Sequence, residues 1–236
     1  MSHRNAILIF SKAPHINRKP DEPFASIAWG DLDALCSAML GDVVEISCRV
    51  FNADVLLYRN PAEFSDDYLA PFRERIRCYD VQETPLAEQV QHAIENAFAE
   101  NYSHIVVVLD NNPLLTSKFL EKVFDQLEYE DDCLVVAPTV EGKFSLLGMK
   151  ANYSSLFDTA PGDPVAKPNL LMERICELNL VVFPIQTSYM LDSGLNLARL
   201  KDDIETLRTT KSEIPRRTYE IFKVFHKKYK TRKVPQ

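Results

Sequence analysis

Apolar and polar positions along this chain fall into two periods. Short, largely apolar runs are separated by longer segments in which apolar residues recur every three or four positions. Ala6–Phe10, Asp54–Tyr58, Arg75–Tyr79, Ile105–Leu109, Leu134–Ala137, Lys143–Met149 and Leu180–Ile185 read as strands. Helical spacing covers Ile27 to Val43, Leu86 to Phe98, Phe119 to Leu127, Pro168 to Asn179 and Ser193 to Leu207. Thr84-Pro85 and Thr116 suit helix starts, with threonine as cap and proline at the first helical position. The sharpest boundary is HIVVVLDNNPLLT: the run Ile105–Leu109 stops on Asp110-Asn111-Asn112-Pro113, and a helical pattern follows.

Strands alternating with helices predict an α/β domain, a mainly parallel central sheet with helices on both faces. The near-continuous β-branched run in the middle of the chain fits a strand buried on both sides. We expect this domain to span residues 1–208, with a basic helical tail over 209–236. Open sheets of this kind bind ligands at the carboxyl ends of their strands. That directs attention to the polar residues just beyond each apolar run.

Charge sharpens the picture. The net charge is −7, yet Lys211–Gln236 carries nine Lys and Arg against Glu213 and Glu220, which leaves −14 on the rest. An acidic body is a poor nucleic-acid surface. The tail sets Phe222, Phe225 and Tyr229 at helical spacing beside its lysines, so it either docks on the acidic domain or meets an anionic surface or a partner. At 46% hydrophobic residues and no apolar run near membrane-spanning length, the expectation is a cytoplasmic protein without a membrane span. The five cysteines contain no CxxC pair and all sit in apolar patterns, which fits small core residues rather than a zinc site.

Candidate chemistry clusters at strand ends. Asp110, Glu141 and Asp192 could share one magnesium ion, which prefers oxygen ligands. Each also suits a turn or cap, where Asp and Asn satisfy local backbone groups. The loop after the first strand, SKAPHINRKPDEPF, offers Lys12, Arg18 and Lys19 to a phosphate but no glycine for close backbone approach. The histidines are scattered and no GxSxG elbow is present, so nucleophilic hydrolase chemistry is not indicated.

The succession AILIFSKAP, VVVLDNNPLLTSKFLEKVF, LVVAPTVEGKFSLLGMK and SYMLDSGLNLARL resembles the bacterial selenodomain-associated glycosyltransferase-like family. That family is similar in turn to molybdenum-cofactor and phospholactate guanylyltransferases and to the nucleotide-diphospho-sugar transferase (GT-A) fold. Lys12-Ala13-Pro14 match its opening Lys-x-Pro, but Asn17 stands at the expected glycine. Aligned on Pro113 and Leu115, Asn111 falls where the family has its metal-binding aspartate, and Asp110 lies one residue early. Glu141-Gly142 fit the next motif while Lys143 and Phe144 depart from it. Asp192 survives in the last motif, whose outer acids are replaced by Met190 and Asn196.

The resemblance implies a nucleotide or nucleotide-sugar diphosphate at the carboxyl edge of the sheet, contacted by Asn111, Asn112, Glu141 and Gly142. It implies Mg2+ or Mn2+ on Asp110 and Asp192, with Lys12 and Arg18 stabilising the leaving phosphate. An amide for a carboxylate opposite a divalent ion forfeits a charge pair worth about 4 kcal/mol per unit charge at 4 Å near a surface. Two readings follow: a divergent nucleotidyl- or glycosyltransferase, and a non-catalytic transferase-like module that binds a ligand or another protein.

Overall fold

The computed structural model describes residues 4–10, 27–60, 66–81, 84–109, 112–160, 162, 164–165, 167–186, 188–189, 191, 193–210 and 213–228. Its elements, in chain order, are β1 (Asn5–Phe10), α1 (Trp29–Ser47), β2 (Ala53–Arg59), β3 (Ile76–Asp80), α2 (Leu86–Ala99), β4 (His104–Val108), α3 (Ser117–Leu127), β5 (Cys133–Pro138), β6 (Phe144–Met149), α4 (Pro168–Glu177), β7 (Val181–Pro184), α5 (Gly194–Thr210) and α6 (Arg216–Lys228). Short 3₁₀ turns at Asp66–Phe72 and Ser154–Phe157, absent from the sequence reading, complete the set.

One sheet of seven strands runs in the order β3-β2-β1-β4-β6-β5-β7. All neighbours are parallel except those of β6, which runs antiparallel to both β4 and β5. The reversal follows from the short β5–β6 connection, because a parallel pair would need a crossover of a dozen or more residues. This is the mainly parallel α/β architecture that the element order predicts, and it agrees with the fold type that the family resemblance implies.

Both faces of the central strands are covered, which explains their unbroken apolar character. On one face Ile7, Ile9, Val55, Leu57, Val106 and Val108 pack against α1 and α3; on the other Leu8, Leu56, Ile105 and Val107 pack against α2 and α4. Helix α1 is buried on two sides. Leu40, Val43 and Val44 face the sheet, whereas Leu32, Leu35 and Met39 meet Leu197, Leu200 and Ile204 of α5 and Phe222 and Phe225 of α6.

Local chemistry sets the corners. Thr116 caps α3 through its side chain, which accepts the Phe119 N–H at 3.2 Å. Thr84 does not cap α2: Pro85, extended at φ −52° and ψ 142°, takes the cap position and the helix starts at Leu86. Asn52, Asn101 and Asn179, each between a helix and the following strand, adopt left-handed φ near +60°, where asparagine pays less than other side chains. Gly148 in β6 lets α3 lie close: a Cβ there would stand 2.7 Å from Val123 Cγ1. Cys36, Cys48 and Cys133 are buried as expected, but Cys78 and Cys176 are exposed, because β3 is an edge strand and Cys176 lies on the outer side of α4.

Candidate functional site

Three chain segments meet at the carboxyl rim of β4, β5 and β7. Just past β4, the Leu109 N–H donates to the Ser145 carbonyl at 2.8 Å, fastening the end of β4 to the start of β6. A few residues on, Asn112 is buried and bonds in two directions. Its Oδ1 accepts the Leu114 N–H at 3.0 Å, an Asx turn that aims the chain into α3. Its Nδ2 donates to the Tyr189 carbonyl at 3.2 Å.

The second segment is the tight turn between β5 and β6. The Thr139 N–H donates to the Lys143 carbonyl at 2.8 Å, and Thr139 Oγ1 accepts the Lys143 N–H at 3.2 Å. Gly142 sits at φ +76°, a conformation that glycine adopts without steric cost. Glu141 is exposed at the tip, and its Oε1 accepts from Asn196 Nδ2 at 3.2 Å.

The third segment is the chain that follows β7. It extends the sheet, with the Ser188 N–H donating to the Pro138 carbonyl and the Val140 N–H to the Ser188 carbonyl, both at 3.0 Å. It then enters α5, where Ser193 Oγ accepts the Asn196 N–H at 3.2 Å in the manner of an N-cap. The stretch from Ser188 to Asn196 is thus bonded to both other segments, through Asn112 on one side and through Val140 and Glu141 on the other.

Of the residues that the sequence singled out, Asn112, Glu141 and Gly142 lie at this rim. Lys12, Arg18, Asp110, Asn111 and Asp192 lie outside the described residues, as does His15. His104 opens β4 at the opposite edge, 3.6 Å from Glu128, and takes no part in the rim. Among the described residues, no group of three or more His, Cys, Asp or Glu could hold a metal ion. Glu141 alone does not supply the oxygen set of a divalent cation. Burial pushes the Cys36 thiol up to about 12 and raises Cys48 and Cys133, which leaves all three poor nucleophiles.

Sequence reasoning missed the residues on the α5 side. Tyr189 OH donates to Asp203 Oδ2 at 2.7 Å, the Arg199 guanidinium lies 3.8 Å from the same carboxylate, and its carbon stands 4.1 Å from the centre of the Tyr189 ring. Arg199 and Asp203 are four residues apart in α5, a spacing that pairs charges on one helix face. What the sequence did not show is that Tyr189 joins them. Between α3, α5 and the ends of β4 and β7 lies a cavity of about 430 Å³.

Known proteins add context to this geometry. Residues 47–161 match the family model described as an uncharacterized protein conserved in bacteria (DUF2064). No curated protein matches the chain. Among solved structures, a "putative nucleotide-diphospho-sugar transferase" from Desulfovibrio desulfuricans G20 superposes with a TM-score of 0.70 at 18% identity, covering 96% of both chains. A cytidylyltransferase from Leptospira borgpetersenii serovar Hardjo-bovis gives 0.52 at 14% identity over 100% of both chains. The 4-diphosphocytidyl-2C-methyl-D-erythritol synthase of Anaerococcus prevotii DSM 20548 gives 0.52 at 10% identity, over 78% of this chain and 87% of its own. These likenesses show a shared fold, that of the nucleotide-diphospho-sugar transferases and cytidylyltransferases. Among the described residues, no helix is long and apolar enough to cross a membrane.

Proposed function

We propose that this protein is a divergent nucleotidyl- or glycosyltransferase-like protein that binds a nucleotide or nucleotide-sugar diphosphate at the carboxyl rim of its sheet. The observation that carries the reading is the bonding of the loop after β4 and the β5–β6 turn to one segment, Ser188 to Asn196. These are the stretches in which the sequence resembles the motifs of a nucleotide-handling family. Backbone and amide groups gathered at a sheet crest suit phosphates and their counter-ion.

In this reading Lys12 and Arg18 would oppose the charge developing on the leaving phosphate, and Asn111, Glu141 and Gly142 would line the nucleotide. Asn112 is a positioning residue, since both ends of its amide are bonded within the protein. The described residues do not make a divalent site by themselves. A Mg2+ or Mn2+ ion would rest on Asp110 and Asp192 and would supply positive charge against the phosphates.

A second reading has its own support. Asn112 and Glu141, two of the polar groups the sequence assigned to a ligand, make hydrogen bonds within the protein. A rim whose polar groups serve the fold suits a transferase-like module that binds without turning over. Thermal-shift measurements with a panel of nucleotides and nucleotide sugars, with and without Mg2+ or Mn2+, separate the two. Stabilisation by one member of the panel, enhanced by metal, is expected; a flat panel with both metals favours the module.

A further inference from the structure

We propose that the basic stretch after α6, with Lys230, Arg232 and Lys233, reaches the carboxyl rim and supplies positive charge to phosphates bound there. The inference rests on the nucleotide-diphosphate reading of the rim and adds three cations to it. The packing of α6 gives the direction. Near its start, the Thr218 N–H donates to Asp42, in the middle of α1, at 2.8 Å. At its end, Lys228 Nζ meets Asp31 Oδ2, in the first turn of α1, at 2.6 Å. The two helices are therefore antiparallel. Helix α1 connects the parallel strands β1 and β2, so its amino end lies at the carboxyl edge of the sheet. The end of α6 lies at that edge with it.

The rim segments adjoin this end of α6. Phe225, three residues before Lys228, shares a buried cluster with Tyr189 and Leu191 of the chain after β7, and Leu114 of the loop after β4 packs against the same cluster. Residues 229–236 lie outside the described residues; their sequence is YKTRKVPQ. Fully extended, such a stretch spans up to about 26–29 Å, more than twice the width of a helix, about 10–12 Å. Charge supplies the reason for it to cross. Lys223 is bonded to Glu220 and Lys228 to Asp31, and no acid follows Glu220. The chain before this basic tail carries −14, which repels a diphosphate at long range. Asn111 stands where the resembled family has a metal-binding aspartate, so the rim is short of groups to hold a divalent counter-ion. Lysine and arginine side chains meet phosphates directly through charge-assisted hydrogen bonds.

Lysine acetylation of the full chain, read by mass spectrometry, tests the placement without any substitution. Saturating guanosine or uridine diphosphate with Mn2+ should protect Lys230 and Lys233, while Lys150, just past β6 at the opposite edge of the sheet, keeps its reactivity. Calorimetry on Lys230→Gln/Arg232→Gln/Lys233→Gln gives the second readout. At low salt this variant should bind the same diphosphate about fivefold or more weakly, and the difference should shrink near about 1 M salt, where charges are screened beyond about 3 Å. Lys230→Arg/Arg232→Lys/Lys233→Arg, which keeps the charges, should bind like the unmodified protein. Unprotected Lys230 and Lys233 at saturation would overturn the inference and leave the reading of the rim standing. So would undiminished binding by the glutamine variant, or equal weakening by the charge-conserving one. Failure of the unmodified protein to bind either diphosphate would overturn both.

Discussion

The carboxylate of Asp42, in the middle of α1 and only 3% exposed, accepts both the backbone N–H of Thr218 at 2.8 Å and the Thr218 hydroxyl at 2.7 Å, across 176 residues of chain. Its other oxygen accepts the Arg217 N–H at 3.1 Å. Thr218 and Arg217 lie in the first turn of α6, where unpaired N–H groups and the helix dipole favour an anion. Asp42 thus caps α6 from another helix. Asp42→Asn would turn an NH2 group towards one of these donors. We expect a loss of about 1–3 kcal/mol of stability in urea unfolding, with Thr218→Val costing a comparable amount and the double variant less than the sum.

Acid titration should separate Asp42 from its neighbour. Burial, against the hydrogen bonds from Thr218 and Arg217, raises the Asp42 carboxyl above its ordinary 3.8. The folded protein then holds that proton more tightly than the unfolded chain, so this group's contribution is full below 3.8 and is lost as pH rises through the folded value. Glu45 behaves oppositely: burial would raise it, but Arg217 and Arg49 outweigh burial and hold it below 4.5. Its contribution is present above 4.5 and lost as pH falls through the lowered value. Melting temperatures over pH of about 3 to 6 should therefore fall more steeply towards acid in Asp42→Asn than in the unmodified protein, and less steeply in Glu45→Gln. Parallel profiles would contradict this assignment.

Gly148 tests how closely α3 approaches the sheet. A methyl at this position would stand 2.7 Å from Val123 Cγ1 and 3.3 Å from Val135 Cβ. Gly148→Ala should destabilise the protein by about 1–3 kcal/mol, the usual cost of overpacking. Shortening the neighbour in Gly148→Ala/Val123→Ala should recover part of it, as read by urea midpoints.

The corner between α2 and β4 gives a cleaner backbone test. Asn101 holds φ +63°, while the Tyr102 N–H reaches the Ala97 carbonyl at 3.2 Å to close the helix. Asn101→Ala should cost about 1–2 kcal/mol, whereas Asn101→Gly should be nearly neutral. Equal losses in the two variants would locate the effect in the side chain rather than the backbone.

Much of the fold was legible because its signals are local. The central strands are short apolar runs, and Ile105–Val108 is apolar throughout because helices cover both its faces, whereas the edge strand β3, Ile76–Asp80, carries Arg77 and Asp80. Thr116 could be read as a cap from its place before a helical pattern. Thr84 was misread because proline after threonine is compatible with two cap positions, and only backbone angles separate them. The antiparallel β6 could be inferred only from the length of its connection. The rim was harder to read, since Asn112 to Tyr189 and Glu141 to Asn196 join residues 77 and 55 positions apart. Residue type marked Glu141 and Asn112 as polar groups at strand ends. It did not show that their partners lie on the chain leading into α5.

The proposed function requires that this rim bind a nucleotide diphosphate. Isothermal titration of the full chain with guanosine and uridine diphosphates in Mn2+ tests it most directly, repeated on Asp192→Asn and on Asn112→Ala. Saturable binding to the unmodified protein by one of the two, weakened at least tenfold in Asp192→Asn, is the expected result, a loss of about 1.4 kcal/mol or more. Asn112→Ala should weaken it as well by freeing the loop from Tyr189. Absence of binding by both diphosphates, or binding that neither substitution alters, would contradict the claim.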